Sequence, residues 1–149
     1  MRTPSAGAIA ATWFARPGRH NTARTCRLAA ARAEQLGITR FVVASCTGAT
    51  ALKLLGELPA GAVVACVTHH VGFREPGESE LTQVARRRLD RAGIRILTTT
   101  HLLAGVERAA RLKFGGLGPA ETVACALRCF GEGTKVAIEV AVMALDAGL

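Results

Sequence analysis

The sequence predicts an α/β protein with an open, mainly parallel sheet and helices on both sides of it, a three-layer arrangement. Three apolar runs of strand length, 38–45, 62–70 and 94–101, alternate with segments of helical periodicity. β-Branched residues dominate these runs, and the lack of polar alternation is typical of strands buried on both faces. Because parallel strands need crossover connections, we expect a helix to link each strand to the next.

Capping residues and glycines predict where the helices begin and end. The first helix is expected to begin after Asn21 and to end at Gly37, and Pro119 suits the first turn of a later helix. The other predicted helices cover residues 50–58, 81–92, 102–114, 121–130 and 134–148. We therefore expect one domain over residues 13–149, preceded by a weakly ordered extension, 1–12.

Composition favours a soluble, cytoplasmic protein. The chain of 149 residues is long enough for one ordinary domain. No apolar stretch reaches the roughly 18 residues of a membrane span, and the first dozen residues do not resemble a secretory signal. The five cysteines are odd in number and form no C-x-x-C pair, so we expect them to act as small hydrophobic residues in a reducing compartment.

The net charge of +8 raises the possibility of a nucleic-acid partner. The arginines are spread mostly over the predicted solvent faces of helices. Aromatic residues make up only 4% of the chain and tyrosine is absent, so few side chains could stack on bases. We expect a solvated basic surface, with neither a nucleic-acid nor a membrane partner.

A loop rich in hydroxyl groups follows the first predicted strand. In parallel sheets, ligands bind beyond the carboxyl ends of the strands, and a helix that begins there offers free backbone N–H groups to an anion. The loop lacks the lysine of a P-loop and the G-x-G-x-x-G pattern, so a nucleoside triphosphate is not predicted. On the residues alone, an ordinary capped turn is the favoured interpretation and anion binding the alternative. The residues in question are Ser45, Thr47, Gly48 and Thr50.

Three histidines are expected at the same edge of the sheet. His69 and His70 end the second strand and His101 follows the third, where imidazoles could act as acid and base or, alternatively, orient neighbouring loops through hydrogen bonds. Adjacent strand residues point to opposite faces and no zinc spacing is present, so neither metal nor cofactor is predicted. Arg108 could supply positive charge. Cys46 could act as a nucleophile only with a base that the sequence does not place.

Several motifs resemble a known family. The segments AVVACVTHHVGFREPGESE and ILTTTHLLAGVERAARLKFGG, following a T/S-x-T/S-G-x-T/S loop, resemble small archaeal and bacterial proteins related to the pyruvate kinase C-terminal (α/β) domain. The resemblance covers nearly the whole chain from Trp13 onward. It implies a domain without catalytic residues whose loop holds a phosphate of a sugar-phosphate effector. The matching positions are Ser45, Thr47, Gly48 and Thr50.

The resemblance also implies two differences from pyruvate kinase itself. The chain has no catalytic barrel, so phosphoryl transfer between phosphoenolpyruvate and ADP is not expected. Family members usually continue with two further strands and a second glycine-rich loop. Without those strands the apolar edge of strand 38–45 would be exposed, and we therefore expect either a truncated form or a homo-oligomer that covers this edge.

Three functions remain open on this basis. The leading expectation is a non-catalytic domain that binds a phosphorylated small molecule or inorganic phosphate, with His69, His70, His101 and Arg108 around the rest of the ligand. The alternative is a small enzyme acting on a phosphate or carbonyl compound, in which one of the three histidines is the acid or base. A purely structural or assembly domain is the third.

Overall fold

The computed structural model describes residues 11–149, so most of the predicted N-terminal extension, 1–10, lies outside the described residues. A short 3₁₀ turn, Arg19–Asn21, precedes three strands and six α-helices. In chain order these are α1 (Thr22–Leu36), β1 (Arg40–Ala44), α2 (Ala49–Leu55), β2 (Val63–Thr68), α3 (Gln83–Arg91), β3 (Arg95–Thr98), α4 (Gly105–Phe114), α5 (Pro119–Arg128) and α6 (Glu132–Asp146).

The three strands form one parallel sheet in the order β1-β2-β3, which confirms the α/β class and the parallel sheet. Only the central strand, β2, is buried along nearly its whole length. The prediction that β1 is buried on both faces is wrong, because its residues alternate between exposed and half-buried and Val42 is 38% exposed. Among residues 11–149, β1 has a strand on one side only.

Helices pack on both faces of the sheet. Successive side chains of β2 point to opposite faces, so each face has apolar residues for a helix to cover. On one face, Cys66 packs in a cluster with Leu89 of α3 and Ala51 of α2. On the other face, Val67 packs against Val140, and the same cluster includes Met143 and Ala144 of α6. The long C-terminal helix therefore covers one side of the sheet, while α2 and α3 cover the other.

A buried ion pair lies within helix α6, on the face that packs against the sheet edge. Lys135 and Glu139 are only 7% and 3% exposed, and the ammonium of Lys135 donates to one carboxylate oxygen of Glu139. The other oxygen accepts a hydrogen bond of 2.8 Å from the backbone N–H of Leu103. This carboxylate therefore joins α6 to the connection between β3 and α4.

Helix α4 contributes no buried residue to the fold. Val106, Leu112 and Phe114 are 85%, 69% and 79% exposed. Glu107 links α4 to α5: its carboxylate accepts a hydrogen bond of 2.8 Å from the N–H of Ala120 at the start of α5. In the described part of the chain, α4 therefore presents three large, exposed apolar side chains that are distributed around the helix.

The cysteines are all unpaired, but they do not share one environment. Cys26 and Cys66 are buried as expected, and burial raises the pKa of the Cys66 thiol to about 11. Cys125 and Cys129 are exposed on or next to α5, so the expectation that they act as small core residues is wrong. No helix within 11–149 has the length and hydropathy needed to cross a bilayer.

Candidate functional site

The loop between β1 and α2 is shaped by its own side chains. Ser45 is buried, and its Oγ accepts a hydrogen bond of 3.1 Å from the backbone N–H of Thr50, while the N–H of Gly48 donates to the Ser45 carbonyl at 3.2 Å. Gly48 has a φ of +79°, and it lies so close to α3 that a Cβ there would be 2.8 Å from Leu89 Cδ1. Ser45 and Gly48 thus fix the turn, in line with the capping interpretation.

Thr47 and Thr50 lie on the other side of this loop, in an open cleft of about 620 Å³. The cleft is also lined by Arg19, His20, Thr22, Ala49 and Lys53. No carboxylate lines it, and within residues 11–149 neither Arg19 nor Lys53 forms an ion pair. Hydroxyl groups and uncompensated positive charge therefore meet in one cleft, which we call the threonine cleft.

Sequence analysis missed the basic side chains of the threonine cleft. Lys53 stands three residues after Thr50, a spacing that puts both on one face of a helix, so a local signal was present. Arg19 and His20 come from the turn before α1, far from the loop in sequence. No local pattern relates this turn to the loop, and only the packing of α1 next to α2 brings them together.

The three predicted histidines do gather at the carboxyl edge, around the ring of Phe73. His69 stacks on this ring with 3.7 Å between centroids, and His101 lies 5.3 Å from His69 and 5.8 Å from His70. The guanidinium carbon of Arg108 is 5.7 Å from the centre of the same ring. These four predicted residues therefore form one group, although its central member, Phe73, was not predicted.

His69 is held by a carboxylate from the loop that follows it. Its Nδ1–H donates to one oxygen of Glu80, and the other oxygen forms an ion pair with Arg74, 3.0 Å from its Nε. The loop closes on itself, because the N–H of Gly72 donates to the carbonyl of Glu78 at 2.8 Å. Sequence reasoning did not distinguish Glu80 from the exposed Glu78, since both stand in the same polar loop.

A cavity of about 180 Å³ opens beside this group, between the sheet edge and α6. We call it the histidine cavity; its polar lining consists of Cys46, Thr68, His69, His101, Arg108, Arg128, Glu132, Lys135 and Glu139. Arg128 pairs with Glu132 at 2.7 Å and Lys135 pairs with Glu139. Arg108 is the lining cation that has no carboxylate partner among residues 11–149.

Burial governs the protonation of two groups in the histidine cavity. Burial lowers the pKa of His101; Glu139 opposes this effect, and His69, His70 and Lys135 add to it. His101 is therefore a neutral imidazole at neutral pH. Burial also raises the pKa of the Cys46 thiol, although the backbone N–H of His69 donates towards its sulfur and partly offsets the effect. A protonated thiol is a poor nucleophile, which does not favour covalent catalysis by Cys46.

The two cavities have no lining residue in common. Within one loop, Cys46 lines the histidine cavity and Thr47 lines the threonine cleft. Of the predicted residues, Thr47 and Thr50 line the threonine cleft, and His69, His101 and Arg108 line the histidine cavity. Ser45, Gly48 and His70 line neither. A single ligand held by all of them at once remains a prediction.

A scan of the chain against models of known protein families finds no match. The resemblance to pyruvate kinase C-terminal domains, and the roles it implies for the loop, therefore remain predictions.

Proposed function

We propose that this protein is a non-catalytic binding domain that holds inorganic phosphate, or the phosphate of a small metabolite, in the threonine cleft. One observation carries the proposal: Thr47 and Thr50 line the same cleft as Arg19 and Lys53, with no carboxylate to neutralise the two cations. Charge-assisted hydrogen bonds and hydroxyl donors are the usual means by which proteins hold phosphate. The resemblance of this loop to the effector loop of pyruvate kinases supports the same function.

The basic side chains would have different roles. The planar guanidinium of Arg19 can donate two parallel hydrogen bonds to phosphate oxygens, whereas the Lys53 ammonium acts as a point charge. Thr47 is exposed and Thr50 half-buried, so a bound phosphate would keep part of its hydration. We therefore expect modest affinity that falls as ionic strength rises.

Replacing Lys53 with glutamine is expected to raise the Kd for phosphate about tenfold, because one charge-assisted hydrogen bond is lost. Isothermal titration with inorganic phosphate and with a hexose phosphate, at low ionic strength, measures this change. The double variant Thr47→Ala/Thr50→Ala should weaken binding as well. Lys113→Gln is the matched control, because it removes the same charge from exposed α4.

Two outcomes would contradict phosphate binding in the threonine cleft. One is an equal loss of affinity in Lys53→Gln and Lys113→Gln, which would indicate attraction to the net charge of the whole protein. The other is the absence of any thermal stabilisation by phosphate, sulfate or sugar phosphates.

One observation favours the alternative, an enzyme acting on a phosphate or carbonyl compound. His69 is hydrogen-bonded to the Glu80 carboxylate and lines the histidine cavity together with His101. A carboxylate that fixes the tautomer of a histidine is a common feature of general-base sites. This function requires turnover that is lost in His69→Gln and retained in Thr47→Ala.

We also propose that the chain associates with a second copy of itself. Two features support this: β1 has an open strand edge among the described residues, and α4 exposes large apolar side chains. Light scattering over a range of concentrations is expected to give at least the mass of a dimer. Val106→Glu with Phe114→Glu should shift it towards the monomer if α4 lies in the contact. A monomer at every concentration would contradict self-association.

The reducing cytoplasm remains the proposed compartment. All five cysteines are unpaired, and two of them, Cys125 and Cys129, are exposed. Exposed thiols persist where glutathione and thioredoxin keep cysteines reduced.

A further inference from the structure

We propose that Cys46, His69 and Glu80 form a binding site for a divalent transition-metal ion, with zinc as the best fit. Each residue offers one ligand atom, and these atoms all lie within 4.8 Å of one another. Ligand atoms around a tetrahedral zinc ion are about 3.3–3.8 Å apart, given usual zinc-to-ligand distances. Shifts of about 1 Å therefore suffice: Cys46 must move closer, whereas His69 Nδ1 and the Glu80 oxygen, now in hydrogen-bond contact, must move apart to admit the ion.

The register of the sheet brings two of these ligands together. Ala44 of β1 is paired with Val67 of β2. Cys46 and His69 each follow two residues later, so the parallel strands deliver them side by side at the carboxyl edge. Glu80 returns to the same point at the end of the closed loop 72–80. The site thus combines a sulfur ligand from the connection between β1 and α2 with a nitrogen and an oxygen ligand from the connection between β2 and α3.

Neighbouring groups orient the ligands, as partners in the second shell of a metal site do. The His69 ring is stacked on Phe73 at 3.7 Å, which fixes its plane. The second oxygen of Glu80 forms an ion pair with Arg74 Nε at 3.0 Å, which helps to hold the carboxylate. The His69 and Glu80 side chains are 28% and 17% exposed, so the ion would be shielded from water but still able to exchange.

Metal binding would involve a defined transfer of protons. The Cys46 thiol would release its proton to solvent and bind as a thiolate. The ion would replace the hydrogen bond between His69 and Glu80, with the imidazole proton carried on Nε2 instead of Nδ1. One thiolate and one carboxylate then balance the two positive charges of the ion, and metal affinity would increase with pH because a proton is released.

Three protein ligands leave a fourth position open on a tetrahedral ion. Cys46 and His69 also line the histidine cavity, so we place this position there, near His101 and Arg108. A water molecule or an anion in the cavity would complete the coordination. Sites with three protein ligands and one exchangeable ligand are typical of catalytic rather than structural zinc.

Titration of the chelator-treated protein with Co²⁺, in the absence of phosphate, tests the site directly. We expect one equivalent to produce a thiolate-to-cobalt charge-transfer band in the near ultraviolet together with the intense visible bands of tetrahedral cobalt. Added Zn²⁺ should then abolish both signals. Because no phosphate is present, the result does not depend on the function proposed for the threonine cleft.

Two pairs of variants make the test specific. Cys46→Ser should lose the charge-transfer band, whereas Cys125→Ser, at an exposed cysteine, should keep it. Glu80→Gln should weaken the affinity for cobalt at least tenfold, whereas Glu78→Gln, in the same loop, should not. Circular dichroism verifies that each variant is folded. If Cys46→Ser does not fold, the rate of Cys46 alkylation in the wild-type protein is measured by mass spectrometry instead. We expect this rate to be lower when zinc is bound.

The proposal is overturned if the wild-type protein binds no cobalt. It is also overturned if the charge-transfer band persists in Cys46→Ser, if it disappears in Cys125→Ser, or if Glu80→Gln and Glu78→Gln bind cobalt equally well. In the alkylation experiment, an equal rate of Cys46 modification with and without zinc overturns it.

Discussion

Replacing Lys135 with methionine is expected to lower the free energy of unfolding by about 3–5 kcal/mol, because it leaves the Glu139 carboxylate buried without its cation. Glu139 is 3% exposed, so water reaches its carboxylate only poorly and does not fully replace the lost ammonium. The methionine side chain keeps most of the volume of the lysine stem, and the effect is therefore mainly electrostatic. Urea denaturation followed by circular dichroism measures the loss.

Two further variants separate the buried charge from general damage to α6. Lys113→Met removes an exposed lysine and should change the free energy of unfolding very little. Adding Glu139→Gln to Lys135→Met removes the unpaired charge while an amide oxygen still accepts from Leu103 N–H, so much of the stability should return. If the double variant is no more stable than Lys135→Met, the explanation by an unpaired charge is wrong.

Replacing Gly48 with alanine is expected to lower the free energy of unfolding by about 2–4 kcal/mol, from backbone strain plus overpacking. The φ of +79° is unfavourable for any residue with a Cβ. The added atom would also lie 2.8 Å from Leu89 Cδ1, and Leu89 is fully buried between α3 and the sheet. Thermal and urea unfolding measure the loss.

Gly61 provides the matched control for Gly48. Its φ is +88°, but a Cβ there would meet nothing within 4 Å. Gly61→Ala should therefore cost only the backbone strain, about 1–2 kcal/mol. Combining Gly48→Ala with Leu89→Ala should destabilise by less than the sum of the two single variants, since the shorter side chain makes room. Equal losses for Gly48→Ala and Gly61→Ala would show that packing against Leu89 contributes nothing.

The layers of this fold could be predicted from sequence, but their lateral arrangement could not. Apolar runs and capping residues predicted three strands and six helices close to their actual bounds, because these signals act within a few residues. They carry no information on which strand lies at the edge. The run 38–45 is as apolar as a central strand, yet β1 pairs on one side only among the described residues. Whether β1 is buried depends on whether a second strand lies beside it, and the residues of β1 do not determine that.

The candidate site, like the fold, could be predicted only in part. Strand ends meet at one edge of a parallel sheet, and this rule alone placed His69, His70 and His101 together. The rule does not tell which way a loop residue points, so it could not separate Cys46 from Thr47. Glu80, later in the same connection as His69, and Arg19, in the turn before α1, carry no signal that marks them as partners, and their contacts become visible only when the chain is folded.

The division of the loop between β1 and α2 has a thermodynamic consequence. Cys46 and Thr47 are adjacent in the chain but line different cavities, so a shift of the backbone at one residue is a route by which the other can move. Any resulting coupling between the two sites must be reciprocal: the factor by which a metal changes the affinity for phosphate equals the factor by which phosphate changes the affinity for the metal. The short turn between the two cavities is therefore the shortest segment of the chain through which such coupling can be transmitted.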